Sequence, residues 1–214
     1  MFADYNDRKS TERRRIIMKI ADRLKKVLDG GTDPEVCLFQ IFGTGGQPKH
    51  PTAALLMKEE AGVRLYALMQ SNHPENRADA DNQKTWQTGD ALELFLQEST
   101  RPDYYEFHST PEGIRLQLHL PDCVTFRNFT HEQKICDAGL QVFNRIDPEQ
   151  ELWYCEMFVP YAGFMKEKNN SFRFGLGRYD YEDDPEKPAI SCWPLMKGTL
   201  HSPEDWRELP VRKI

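Results

Sequence analysis

The pattern of apolar and polar positions changes character once along the chain. Between residues 9 and 28, Ile16, Ile17, Ile20, Ala21, Leu24, Val27 and Leu28 recur at spacings of three and four. That spacing places them on one face of an amphipathic helix. Ser10 or Thr11 stands where a cap would start it, and Gly30-Gly31 where it would stop. From residue 32 onward the runs are short, rich in β-branched and aromatic residues, and punctuated by Gly, Pro, Asn and Asp. They predict strands over 36–42, 52–58, 63–70, 91–97, 104–109, 114–120, 140–146, 152–159 and 172–179, with shorter pieces at 191–193 and 206–211. Glu60-Ala61-Gly62 and Pro111-Glu112-Gly113 read as hairpin turns between neighbouring strands. The acidic, proline-containing stretch 180–188 reads as a loop. Many short strands divided by turns predict an all-β fold, an antiparallel β-sandwich of jelly-roll type, preceded by one N-terminal amphipathic α-helix. The chain accordingly divides into a helical extension over 1–31 and a sandwich over 32–214.

Composition narrows the function classes. A chain of 214 residues can bury a core large enough to dispense with a required cofactor or cross-link. A net charge of -6 argues against a nucleic-acid partner, which calls for a basic face. The one basic stretch, Arg13-Arg14-Arg15 continuing to Lys19, Arg23, Lys25 and Lys26, falls on the helix and reads as its solvated side. Cys37, Cys123, Cys136, Cys155 and Cys192 are scattered and odd in number, which suits reduced thiols better than a disulfide framework. No apolar run approaches the ~20 residues of a membrane span, so no membrane partner is expected. No signal peptide is visible, so the sequence as it stands predicts a cytoplasmic protein; a truncated start would make it secreted or periplasmic. Nothing in the sequence indicates an oligomeric state.

Candidate chemistry begins with Leu92-Glu93-Leu94-Phe95-Leu96, a nearly continuous apolar strand interrupted by one carboxylate. A carboxylate there needs a donor, a cation or solvent at a concave sheet face. There is no nucleophile elbow, no His-Glu-x-x-His and no Walker loop, and Phe42-Gly-Thr-Gly-Gly46 reads as a hairpin loop.

Several short motifs then occur in one order. Trp86-Gln-Thr-Gly-Asp90-Ala-Leu-Glu93-Leu-Phe95 is followed by Tyr105-Glu106-Phe107, then Trp153-x-x-Glu156-x-Phe158-Val159-Pro160, then Arg178-Tyr179-Asp180, Trp193-Pro194 and a closing His201-Ser202-Pro203. In this order the chain, from about Cys37 to Arg212, resembles the family 9 carbohydrate-binding modules and the related DOMON sandwich domains. The resemblance implies a non-catalytic module that recognises a mono- or oligosaccharide by aromatic stacking and carboxylate hydrogen bonds. It also implies the structural calcium that such modules often carry. Two departures stand out. Gly89 lengthens the Trp86–Asp90 spacing by one residue, and the family's second sugar-stacking tryptophan falls here near Leu200 and His201.

Under that resemblance Trp86, Glu93, His108, Arg178 and Asp90 are the ligand-binding candidates. Trp86 would stack a pyranose, or else cap the end of the sandwich. Glu93 would accept sugar hydroxyls, or else pair with Arg178 or His108. His108 stands where the family places a cationic contact, Arg178 is a rim donor or a structural ion pair, and Asp90 caps a turn or joins a calcium site. Trp153 and Trp193 read as core, Trp206 as an edge or core filler, and His201 as a residue ordering the closing loop. Three other readings remain beside this one. Asp90, Glu93 and Glu106 offer carboxylates for a glycosidase. Seven Met and six His offer haem ligands without any spacing that selects a pair. An intracellular interaction or structural sandwich that has lost sugar binding is the last.

Overall fold

The structure is a computed structural model that describes residues 2–166 and 170–210, with residues 2–14 and 210 described by their backbone only. Arg13 and Arg14 of the basic stretch, and Val211 at the end of the last predicted strand, therefore lie outside the described side chains or residues. Helix α1 (Phe2–Leu28) is followed by β1 (Cys37–Leu38), β2 (Gln40–Ile41), β3 (Thr52–Lys58), β4 (Gly62–Gln70), β5 (Ala91–Glu98), β6 (Tyr104–Ser109), β7 (Arg115–Leu120), β8 (Gln141–Asp147), β9 (Leu152–Pro160), β10 (Ser171–Asp180), β11 (Ala189–Trp193) and β12 (Arg207–Pro210). The strands form two antiparallel sheets, one ordered β1-β3-β4-β9-β8 and the other β2-β11-β10-β5-β6-β7, with β12 paired to the first half of β10. This is the all-β sandwich with one leading helix that the pattern predicts.

Period-two alternation builds the layer between the sheets. Leu92, Leu94 and Leu96 of β5 and Phe172, Phe174 and Leu176 of β10 meet Leu65, Ala67 and Met69 of β4 and Trp153, Cys155 and Met157 of β9. Each large apolar side chain removed from water there stabilises the fold by about 1.5–3 kcal/mol. Trp153 is fully buried, and its indole N–H donates to Asn144 Oδ1 at 2.8 Å. Trp193 packs against the same layer from a half-buried position.

Two expectations differ in detail. The run 36–42 is not one strand: β1 pairs with β3 and β2 with β11, so the chain crosses between sheets at Phe39. Phe39 is 1% exposed, and this apolar anchor at the crossing is what made the run look continuous. The helix reaches back to Phe2, past Ser10 and Thr11, because no glycine or proline interrupts residues 2–28.

The helix decides which sheet face is left for function. Ile20, Leu24 and Val27 pack on Ala53, Leu55, Tyr66, Leu68 and Tyr154, the outer face of the five-stranded sheet. Arg23 pairs with Asp33 and Glu35 just beyond the helix and fixes its exit. The outer face of the seven-stranded sheet is instead overlaid by side chains from the connecting segments, among them Phe126, Met196, Leu200 and Trp206 on Phe95, Tyr104, Leu116 and Leu118. Two glycines of β10 make room for this, Gly177 beneath Leu200, where a Cβ would stand 3.0 Å from Leu200 Cδ1, and Gly175 beneath Trp206. A Cβ on Gly175 would lie 2.5 Å from the Trp206 ring, so the ring lies directly on the backbone of β10. No described helix is long and apolar enough to cross a membrane. All five cysteines are free.

Candidate functional site

Register and pleat assemble the site. In the β5–β6 ladder Glu93 stands opposite His108, and alternation along β6 places Glu106 on the same outer face as His108. His108 Nε2 lies 2.7 Å from Glu106 Oε1 and 3.0 Å from Glu93 Oε1. On the ring's other side, His108 Nδ1 is 2.7 Å from Thr85 Oγ1. The three charged side chains are 3%, 5% and 0% exposed for Glu93, Glu106 and His108.

Burial disfavours charge on His108, but attraction to Glu93 and the hydrogen bonds to Glu106 and Glu93 outweigh it and push its pKa up to about 9. Burial likewise works against a charged Glu106, yet the bond from His108 and the nearness of His201 hold its pKa below the usual carboxylate range. The imidazolium is thus clamped between two carboxylates. One fully buried oxygen of the group, Glu93 Oε2, has no hydrogen-bond partner. It lies over Gly177, where a Cβ would stand 2.8 Å from it.

Aromatic groups frame this cluster. Trp86, half-buried on the short 3-10 turn Thr85–Gln87, meets His108 edge-on with ring centroids 5.8 Å apart and His131 at the same distance. Its carbonyl accepts a 2.6 Å hydrogen bond from the Tyr181 hydroxyl. His201 stacks on Phe126 at 4.5 Å, sits 2.8 Å from the Tyr104 hydroxyl and approaches Glu106 Oε2 at 3.8 Å. Where a second tryptophan is expected, the position is filled by buried Leu200 and partly open His201. Trp206 stacks on Phe95 with ring centroids 5.3 Å apart.

The structure therefore brings together Trp86, Glu93 and His108 and keeps Arg178 and Asp90 apart from them. Arg178 follows Phe172, Phe174 and Leu176 on the inner face of β10 and is fully buried. Its guanidinium donates to the His50 carbonyl, Thr52 Oγ1 and the Gln70 carbonyl and pairs with Asp180 at 3.1 Å. It joins the two sheets and is no rim donor. The sequence signal for this was its even spacing from Phe172, which the attraction of a cation beside a carboxylate strand overrode.

Asp90 accepts the backbone N–H groups of Glu75 and Tyr181 at 3.0 and 3.1 Å, and burial pushes its pKa up to about 6 against those bonds. Both its oxygens face N–H donors, with Arg178 nearby, an environment that suits a carboxylate and does not suit a calcium ion. Gly89 explains the lengthened spacing before it. At φ +151 it bridges to Asn76, and a Cβ would fall 2.3 Å from the Glu75 carbonyl.

Glu106, Thr85 and His201 are the members that motif order alone did not bring into the site, although the alternation Glu106-Phe107-His108 carries the signal for the first. A second cluster, His50 with Asp180 and Glu182, lies at one end of the sandwich beside Arg178. Its oxygens are already taken. Glu182 accepts from Ser71, the Asn72 amide and the Asn72 side chain, and Asp180 Oδ2 faces both His50 and Arg178.

No protein-family model matches the sequence, and no curated protein matches it. Solved structures do match the fold. A Bacteroides uniformis protein for which carbohydrate binding has been proposed superposes with a TM-score of 0.62 at 15% identity, over 80% of this chain and 85% of its own. A family 9 carbohydrate-binding module from Caldicellulosiruptor kristjanssonii, solved with cellotriose, gives 0.58 at 10% identity, over 82% and 81%. A module of that family and organism solved with glucose gives 0.56 at 9% identity, over 80% and 82%. At such identities the likeness establishes the sandwich fold, and function rests on the site.

Proposed function

We propose that the protein is a non-catalytic carbohydrate-binding module whose ligand meets the outer face of the seven-stranded sheet beside Trp86. The observation that carries this reading is the juxtaposition of a half-buried indole with a carboxylate–imidazole–carboxylate group on a sheet face. The fold is one it shares with modules solved holding cellotriose and glucose. A sugar ring offers an apolar face of C–H bonds and a rim of hydroxyls. Trp86 supplies a plane for the former, and the Glu93–His108–Glu106 group with His201 supplies acceptors and donors for the latter. With one aromatic wall in place of two, the ligand is a mono- or oligosaccharide stacked from one side. The absence of catalysis is supported by the carboxylates themselves: Glu93 and Glu106 share one imidazole instead of facing each other across a bond to be cut.

One observation favours a second reading, an interaction or structural sandwich that has lost sugar binding. His108 is fully buried and already engaged by Glu93, Glu106 and Thr85. Tryptophan fluorescence separates the two. Titration with glucose, xylose, cellobiose and xylobiose shifts the emission saturably if Trp86 is a binding platform, and leaves it unchanged across all four if the sandwich serves another purpose.

A further inference from the structure

Beneath the Trp86 platform the three innermost side chains have the composition of a metal centre. We propose that Glu93, Glu106 and His108 bind one divalent transition-metal ion, zinc being the ion that this donor set suits. One imidazole nitrogen and one oxygen from each carboxylate lie within 4.8 Å of one another. An imidazole with two carboxylates is a hard-to-borderline set of the kind zinc accepts. These are the side chains that the sugar reading places at the ligand's rim, but ion binding is measured without sugar and stands or falls by itself.

Four features of the group point the same way. The His108 ring is fixed by Thr85 Oγ1 at Nδ1, which leaves Nε2 aimed at the carboxylates. An outer partner of this sort orients metal-bound histidines generally. Glu93 is 3% exposed, yet its Oε2 has no hydrogen-bond partner. A buried carboxylate oxygen left so is costly, and an adjacent cation removes the cost. Among the described residues neither carboxylate forms an ion pair with a lysine or arginine, so two negative groups face one imidazole. Finally, the floor beneath the unpartnered oxygen is a glycine, Gly177, which contributes no side chain there, with Leu200 Cδ1 close beside it.

The spacing is close to what an ion requires. Ligands about 2.1 Å from zinc at a tetrahedral angle stand about 3.4 Å apart. The present separations from His108 Nε2, 2.7 and 3.0 Å, need to open by about 0.7 and 0.4 Å, which rotation of the two carboxylates would provide. His201 lies on the other side of Glu106, its Nδ1 3.8 Å from Glu106 Oε2. The His50–Asp180–Glu182 cluster makes an internal contrast: the same residue types occur there, but serine, asparagine and arginine donors occupy the oxygens.

The test is calorimetric titration of chelator-treated protein with zinc chloride, repeated with cobalt(II) so that visible absorption reports the ligand field. The expected result is one ion per chain with a dissociation constant in the micromolar range or tighter. Glu93→Gln and Glu106→Gln should each weaken it at least tenfold, and His50→Gln should leave it unchanged. Far-ultraviolet circular dichroism confirms that each variant is folded. Because a Gln variant can fail to fold, Gly177→Ala serves as a second probe: its methyl would press on Glu93 Oε2 and Leu200 Cδ1 while leaving all three donor groups chemically intact, and it should also weaken the ion. Failure to bind one ion per chain, or binding that Glu93→Gln and Gly177→Ala leave intact, overturns the proposal and leaves His108 as a protonated clamp. Loss of binding with His50→Gln overturns it equally.

Discussion

His108 stands opposite Glu93 in adjacent antiparallel strands, with its Nε2 3.0 Å from Glu93 Oε1 and its ring wholly withdrawn from solvent. A cross-strand pair of opposite charge is usually a surface feature worth a fraction of a kcal/mol. Here a second carboxylate, Glu106, completes the pair from within β6, so charge on the ring is retained under burial.

That retention makes the fold sensitive to alkaline pH. His108 titrates near 9 in the folded protein against an ordinary value of 6.5. A raised folded-state value for a base gives a contribution that is complete below the unfolded value and lost as pH climbs through the folded one. Denaturant unfolding of chelator-treated protein should therefore show stability falling between about pH 6.5 and 9, by on the order of 3 kcal/mol at most. His108→Gln should flatten that slope; an unchanged slope would remove His108 as its cause.

Arg178 predicts a separation of stability from binding. It is fully buried, pairs with Asp180 and donates to groups of the opposite sheet. Breaking one side of a buried pair typically costs about 3–5 kcal/mol. Arg178→Met should lower the unfolding free energy by roughly that amount. Sugar and zinc affinities of the folded fraction should stay at wild-type values, since the residue faces away from both. A selective loss of affinity in a stable Arg178→Met protein would show that the guanidinium reaches the ligand.

Gly89 couples the backbone to the platform. An alanine there would meet the Glu75 carbonyl and must adopt a φ that L-residues rarely take, a strain of about 1–3 kcal/mol. The Asn76–Gly89 bridge should open and release the turn that carries Trp86. Hydrogen exchange of residues 76–90 in Gly89→Ala should rise while the β4–β9 ladder stays protected. Exchange that rises equally in both would mean global destabilisation instead.

The tryptophans divide by role. Trp153→Ala empties the space of a fully buried ring and removes the donor to Asn144, which should destabilise the fold by about 3–5 kcal/mol. Trp86→Ala removes a half-buried ring from a loop and should cost well under half as much, as thermal melts of the two variants would show. Comparable losses of stability would make Trp86 a packing residue.

The strands were legible because Phe172 to Leu176 alternates strongly and Leu92 to Leu96 is a nearly continuous apolar run, as a strand covered on both faces requires. The same alternation contained the fate of Arg178 and of Glu106: counting by twos from Phe172 and from His108 assigns one to the inner layer and the other to the site. What sequence could not supply was register. Only the pairing of β5 with β6 puts Glu93 against His108, and only the path of the 3-10 turn brings Thr85 to the other ring nitrogen. The crossing at Phe39 was hidden for a related reason, since a residue buried between two sheets reads like any strand centre.

The most direct measurement is isothermal titration of cellobiose into the wild-type protein and into Trp86→Ala, with glucose, xylose and xylobiose alongside. The account predicts saturable binding of at least one of these sugars by the wild type and at least a tenfold loss in a variant that melts at nearly the same temperature. Silence of the wild type toward all four, or equal affinity in Trp86→Ala, would contradict it.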